Sequence, residues 1–468
     1  MNHLRWFSSS GMPAKESEKK ITLQAAALLL CFLLAAFIRI NNNIRFAPAC
    51  GYDASGHLSY ICQIKAGWGT PLANEGWSTF HPPLYYYIMA GIWKFLGPLS
   101  PWPVHLLFRL VSTLLNLGMA ALVLFSIALL WPGDFSLSIL GLCFVLFVPL
   151  HIYTSSMIGN EQMVAFLTSM GLFLLILYDK KPRLRLHLAA AMGIVCGLAL
   201  LTKYSGILLF MTTIICLLSK ISFKTAAGYS FKAGSRKEHG FALVIVLILC
   251  LLLTAGVYSR NIFLFGHPFA LSQNYPYVNE VMSRQPPGER RWTDFLGFDF
   301  RIFRDPIIRK VREDMPYTRS RYVWTLVYSN FWFESFSHFF LLHCDPWRQR
   351  LGKILLWLGI LPTLLLGAQI GKESMSALRQ KLNTPALPLL VLFFLNLGSF
   401  IFFNLKTPHF SAGKASYFLV SSLPLAIFMS QGVLRWLRQQ SKGVEAIGFL
   451  LLMCLFGLSF AAFFLTYT

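Results

Sequence analysis

The stretch GYDASGHLSYICQIKAGWGTPLANEGWSTFHPPLYYYI, from Gly51 to Ile88, lies between two long apolar runs, residues 21–38 and about 104–130. It holds an acid, two histidines, a Trp-rich middle and the run His81-Pro82-Pro83-Leu84-Tyr85-Tyr86-Tyr87. It is too polar to cross a bilayer and too aromatic for a solvated linker. It reads as an extracytoplasmic loop lying on a membrane surface, with the rest of the chain built around it.

The whole composition agrees. The 468 residues are 56% hydrophobic and only 13% charged, with a mean hydropathy of +0.57. Soluble chains carry about 25% charged residues, so this chain has too little polar surface for water and belongs in a membrane. Apolar runs of roughly 15–25 residues recur from end to end, each near the length that spans a hydrocarbon core. The formal charge of +22 sits mostly in short loops between those runs, where membrane orientation accounts for it and nucleic acid is not needed as a partner. The same excess favours anionic membrane lipids or phosphate-bearing substrates.

Of nine cysteines, Cys31, Cys143, Cys196, Cys216, Cys250 and Cys454 fall inside apolar runs and read as small core hydrophobes. Cys50 and Cys62 share the first loop and could pair if that side is oxidising. No Cys-x-x-Cys or Cys/His metal spacing occurs.

Charge counting sets a topology. The basic tail, residues 1–20, is placed in the cytoplasm, followed by a retained first helix at 21–38. An N-terminal membrane module covers 21–259 and includes the external loop 40–103. Its later helices are expected at 104–130, 136–153, 161–178 and 240–259, with 188–219 read as two short helices turning at Lys203. The helix at 161–178 lands on Lys180, Lys181, Arg183 and Arg185, and the next internal loop carries Lys220, Lys224, Lys232, Arg236 and Lys237. The WPGDF turn at Trp131 to Phe135 is internal yet lacks a basic residue. Residues 260–350 are too charged to span and too aromatic for disorder, so they form a small extracytoplasmic cap. Residues 351–468 supply helices at 354–370, 386–404, 417–432 and 446–466. The expectation is an all-α integral membrane bundle of about 11 transmembrane helices, with amphipathic helices in the first loop. No internal repeat is visible, so the inverted-repeat sign of many transporters is missing.

On this topology Asp53, His57, Glu75, His81, Glu161, Lys203, Arg260, His267, His409 and Lys414 gather at one membrane face. Ionisable groups at membrane depth are costly and usually have a task. One acid facing several cations suits a site that deprotonates one group and holds an anion. Each residue also has a structural reading. Asp53 precedes an amphipathic stretch with His57, Ile61, Ile64 and Trp68 near one face, so it can cap that helix as well as act as a base. The double proline after His81 fixes the backbone, with Tyr85, Tyr86 and Tyr87 as an interfacial belt. Glu75 reads as a solvated loop charge. Glu161 can answer the dipole of the helix it starts. Lys203, among Leu200, Leu201 and Ile207, must either snorkel or hold an anion. Arg260 and Lys414 suit helix-end anchors, and Arg109 suits an anchor or a buried ion-pair partner.

Four patches resemble one family. Tyr52-Asp53 with Gly56-His57, Tyr60 and His81-Pro82-Pro83-Leu84-Tyr85-Tyr86 looks like its acidic first loop and [HK]PPLYY ending. Gly159-Asn160-Glu161 is similar to its second acidic position. Gly193 to Tyr204, GIVCGLALLTKY, resembles its G-x-x-x-G-L-A-x-L-T-K segment, and Arg260-Asn261 with Phe265 to Phe269 its R-N…G-x-P. The family is the GT-C superfamily of multi-span glycosyltransferases, in the bacterial branch related to protein O-mannosyltransferases and lipid A aminoarabinose transferases. The resemblance covers residues 20–270, and the C-terminal third follows it only in topology. Two positions depart. Ala54 follows Asp53 where many relatives have Glu, and Lys414-Ala415-Ser416-Tyr417 keeps a Lys and a Tyr without an Arg.

The resemblance implies an inverting transfer of a sugar from a polyprenyl-phosphate donor to a hydroxyl of a glycan, lipid or protein acceptor. It implies Asp53 as general base and Lys203 on the donor phosphate, backed by Arg260 and Lys414. His57, His81, Tyr85, Glu161, Tyr204 and Tyr417 would line the cavity. No cofactor is required, and a divalent cation is an option that the single Asp53 weakly disfavours. The expected place is the bacterial inner membrane with the site facing the periplasm, or the endoplasmic reticulum in a eukaryote. The competing readings are a transporter or flippase of a lipid-linked glycan and a non-catalytic membrane subunit.

Overall fold

The computed structural model describes residues 14–47, 51–67, 69–222, 236–270, 289–312, 315–318, 320–336, 345–380, 382 and 384–464. In a hydrocarbon environment the backbone must satisfy its own hydrogen bonds, and each apolar run accordingly folds as a helix. Among the described residues, ten helices are long and apolar enough to cross a membrane, and Phe135–Leu146 is a shorter apolar helix beside them. The only strands among these residues form one hairpin, Arg309–Arg312 against Met315–Thr318.

The chain runs α1 (Ala14–Arg45), α2 (Ala54–Gly67), α3 (Leu84–Phe95), α4 (Val104–Leu130), α5 (Phe135–Leu146), α6 (Pro149–Thr154), α7 (Glu161–Lys180), α8 (Arg185–Thr202), α9 (Ile207–Ser222) and α10 (Arg236–Phe265). It continues through α11 (Thr293–Leu296), α12 (Val323–Trp332), α13 (Pro346–Arg379), α14 (Leu387–Lys406), α15 (Ser422–Arg438) and α16 (Lys442–Phe464). The helices extend past the expected spans. α10 crosses the boundary drawn at 259, α13 begins before 351, and the run expected at 417–432 is a 3-10 segment, Ala415–Ser421, leading into α15.

The helix expected at 136–153 is broken in two. Pro149 lacks an amide proton and holds Val148 extended, at ψ 134°, so α5 ends and α6 starts afresh. Arg39 of α1, fully buried, donates to the Leu146 carbonyl at the end of α5 at 2.9 Å and to Asn116 Oδ1 of α4 at 3.0 Å.

The two-helix reading of 188–219 holds, with a tight turn between α8 and α9. Lys203 is extended (φ −159°, ψ 147°) and a 3-10 turn, Tyr204–Gly206, follows. Gly206 folds back onto α8 so closely that a Cβ there would stand 2.4 Å from the Ala199 carbonyl carbon.

The bundle has two chemically different ends. One collects ion pairs among the basic loops: Lys220 with Asp179 at 2.6 Å, Arg185 with Glu238 at 2.9 Å, and Arg438 with Asp134 at 3.0 Å. The last supplies, from α15, the basic residue that the WPGDF turn lacks, while Asp134 also caps α5 by accepting from the Leu137 amide. The other end holds α2, α3, α11 and α12, and the charged residues treated next.

Candidate functional site

Asp53 is fixed by three features. Its backbone is left-handed (φ 55°), a region Asp tolerates better than most residues. Its carbonyl accepts the first bond of α2 from the His57 amide at 3.0 Å, so it stands at the cap position. Its side chain accepts from the Trp77 indole at 3.0 Å through Oδ1, and Oδ2 lies 3.6 Å from Lys414 Nζ. The Asp53 side chain is 42% exposed, whereas Lys414 is buried.

A second carboxylate–ammonium pair joins α7 to the α8–α9 turn. Glu161 starts α7, and its Oε1 accepts from Lys203 Nζ at 2.7 Å. Asn160 braces the same junction by donating to the Thr202 carbonyl at 3.1 Å. Gly159 leaves the necessary room, since a Cβ there would lie 2.5 Å from Glu161 Oε2 and 3.4 Å from His57 Nε2. Lys203 therefore neither snorkels nor stands alone.

Two histidines lie between the pairs. The His57 and His81 rings stack at 5.7 Å, and His57 Nδ1 shares a 2.8 Å hydrogen bond with the Tyr86 hydroxyl. Burial pushes the pKa of His57 down against the opposing pull of Glu161 and Asp53. Burial, then Lys203, pushes that of His81 well below the ordinary range. Both rings are thus neutral at neutral pH. Tyr85 and Tyr86 are fully buried in a cluster with Tyr60, Ile61, Ile64 and Met89, so they are core residues and not the interfacial belt expected of them. Trp68 and Cys50 lie outside the described residues, and Cys62 is exposed on α2.

The remaining expected residues divide by position. Tyr204 donates to the Phe80 carbonyl at 2.8 Å and accepts from the Ala270 amide at 3.1 Å, tying the first loop to the end of α10. Tyr417 lies within electrostatic reach of both Asp53 and Glu161. Arg260 donates to the carbonyls of Thr70 (2.9 Å) and Pro71 (3.3 Å), which holds the loop down. Glu75 is exposed and accepts from the Leu72 amide at 2.7 Å, a local turn contact. Arg109 is fully buried and donates to the carbonyls of Asn43, Phe46 and Ala47, answering acceptors left over where α1 ends.

Three residues were not singled out in advance. Trp77 belongs to the aromatic middle of the first loop, but nothing in its spacing points to Asp53. Glu334 is fully buried near the Tyr52 hydroxyl, and Lys414 Nζ lies 4.5 Å over the Tyr52 ring. An acid inside the aromatic run FWFESF was the available signal. Arg290 donates to the His409 carbonyl at 3.2 Å and so braces the segment leading to Lys414. Among the described residues, no three His, Cys, Asp or Glu side chains come together as a metal site would need.

No protein-family model matches the chain, and no curated protein matches it by sequence. Solved structures do match. ArnT from Cupriavidus metallidurans, bound to undecaprenyl phosphate, aligns over 93% of this chain and 64% of its own, at TM-score 0.51 and 15% identity. The oligosaccharyltransferase AglB from Archaeoglobus fulgidus, in complex with an inhibitory peptide and a dolichol-phosphate, aligns over 95% of this chain and 56% of its own, at TM-score 0.53 and 12% identity. The chain thus spans less than two thirds of the length of either. Both neighbours are GT-C proteins, and the likeness shows that this chain has the GT-C-type membrane fold.

Proposed function

We propose that this chain of GT-C-type fold is an inverting glycosyltransferase that takes a sugar from a polyprenyl-phosphate donor and passes it to an acceptor hydroxyl. The observation that carries the reading is the pairing of two carboxylates with two ammonium groups around His57 at one end of the bundle, Asp53 with Lys414 and Glu161 with Lys203. A phosphate leaving group needs its charge neutralised, and a hydroxyl needs a proton acceptor. This arrangement has groups suited to both tasks.

In the proposed reaction the acceptor oxygen attacks the anomeric carbon while its proton passes to the Asp53 carboxylate. The bond from that carbon to the phosphate oxygen breaks, and polyprenyl phosphate leaves with the electron pair. Lys203 and Lys414 would hold the phosphate. When Lys414 turns to it, Asp53 loses its cationic neighbour and becomes a better base. The Trp77 indole would keep the carboxylate aimed throughout. Arg260, committed to the Thr70 and Pro71 carbonyls, would serve by holding the loop that carries Trp77. His57, His81, Tyr204 and Tyr417 would wall the cavity. The neutral, stacked histidines suit the face of a sugar and leave the cationic work to the lysines.

Neutralising a phosphate with lysines requires no metal, and both carboxylates already have cationic partners. The expected setting is a bacterial inner membrane with this end facing the periplasm, and the acceptor is a glycan, a lipid or a protein. The test is Asp53→Asn in membranes supplied with a radiolabelled polyprenyl-phosphate sugar. Loss of transfer with donor binding retained is the expected result. Full transfer by the variant would remove Asp53 as the base, whereas donor binding without transfer by the parent protein would favour a flippase that carries the same donor.

A further inference from the structure

Residues 289–304 present an apolar strip that faces away from the protein. Trp292 is 67% exposed, Leu296 86% and Phe300 73%, although Asp294 and Phe295 between them, and Ile302 just beyond, are buried. Trp292, the cap residue of the single turn α11, and Leu296 at its end are four residues apart and fall on one face. The buried face of that turn is tied down, with Asp294 paired to Arg321 and Arg290 bonded to the His409 carbonyl.

The strip does not end in water. The Phe300 ring meets Phe303 at 6.4 Å, and Phe303 meets Trp357 of α13 at 4.6 Å. Trp357 is itself 60% exposed and lies in line with exposed Ile354, Leu361 and Leu364, on the outward side of a membrane-spanning helix. It sits within a turn of Ile354, where the apolar run of α13 begins. Tyr328 fixes the same level by donating to the Leu356 carbonyl. Basic side chains flank the strip, with Arg291 and Arg304 exposed and Arg301 reaching outward from its pair with Asp299.

We infer that this strip is a lipid-binding surface, and that its occupant is bilayer phospholipid of the leaflet at the site end. Trp292, Leu296 and Phe300 enter the boundary between headgroups and acyl chains, and the arginines meet the phosphates. Aromatic side chains favour that boundary, and arginines reach from it to anions. The segment is then no free dome above the membrane. It lies on the bilayer, and its buried face braces the stretch that leads to Lys414. The inference rests on the membrane-spanning reading alone and stands whether or not the chain is a transferase.

The test places the photo-reactive residue p-benzoylphenylalanine at position 296 or 300 of the full chain. The protein is then irradiated in nanodiscs of phosphatidylethanolamine and phosphatidylglycerol doped with undecaprenyl phosphate, and adducts are weighed by mass spectrometry. The expected product at either position is a phospholipid adduct. A polyprenyl adduct alone, a cross-link to a second copy or to residues 271–288, or no adduct at both positions overturns the inference. Leu296→Asp supplies a second reading, since a charge at this depth should expose trypsin-sensitive bonds around Arg301 and Arg304 in nanodiscs but change nothing in detergent. Unchanged cleavage in nanodiscs counts against it.

Discussion

Lys203 Nζ lies 2.7 Å from the carboxylate of Glu161, which stands 42 residues earlier in the chain and opens a different helix. The two side chains are 16% and 23% exposed, so water screens the pair only in part. Removing one member leaves the other charge uncompensated at membrane depth. Glu161→Gln is expected to lower stability by about 2 kcal/mol, the scale of a charged hydrogen bond. Adding Lys203→Met should restore part of that loss, because no lone ammonium then remains. Thermal unfolding of the four proteins in micelles gives the coupling, and simple additivity of the two losses would mean that the pair contributes nothing to the fold.

The pair depends on the turn that presents Lys203. At Gly206 the nearest neighbours of an added Cβ are backbone atoms of Ala199 and Leu200, at 2.4 to 2.6 Å, and backbone cannot swing aside as a side chain can. Gly206→Ala should therefore cost roughly 1–3 kcal/mol, as overpacking does. The same change at Gly256, where nothing lies within 4 Å, should be tolerated or even favourable in mid-helix. Equal melting temperatures for the two variants would contradict this account of the turn.

Much of the fold was legible in the chain, because membrane helices are announced by uninterrupted apolar runs. The interruption at Lys203 was visible for the same reason. The break at Pro149 was missed because a proline inside an apolar run need not end a helix, and its buried partner Arg39 is remote in sequence. Which groups Arg109 and Arg260 bind could not be read in advance, because the backbone carbonyls they hold take up their positions only after folding. Trp77 was hidden likewise, since its contact with Asp53 arises from tertiary packing and leaves no spacing to read, whereas Glu334 was marked only by being an acid in an aromatic run.

The stacked histidines give a pH dependence with a definite sign. Burial holds the pKa of His57 and His81 below the ordinary histidine value of 6.5, so these rings stay unprotonated in the folded protein where the unfolded chain takes up protons. Their contribution to stability is complete above pH 6.5 and is lost as pH falls from there towards the folded values. Thermal melts from pH 7.5 down to about 5 should show a falling midpoint, and His57→Gln should flatten that slope relative to the parent. A slope unchanged by the substitution would assign the acid sensitivity to other groups.

The two ion pairs also predict opposite effects on donor binding from neighbouring residues. If Lys203 meets the donor phosphate, Lys203→Ala removes a charge-assisted contact of about 1.5–3 kcal/mol, a loss of roughly tenfold to a hundredfold in affinity for undecaprenyl phosphate. Glu161 competes with that phosphate for the same ammonium. Glu161→Gln frees Lys203 and should tighten binding several-fold even though it destabilises the fold. Lys414→Ala should also weaken binding, because it removes a phosphate contact and leaves the Asp53 carboxylate without its cationic partner. Equilibrium binding of radiolabelled undecaprenyl phosphate to the purified variants separates these outcomes. Weaker binding by Glu161→Gln would place the carboxylate itself against the donor and reverse the roles of the pair.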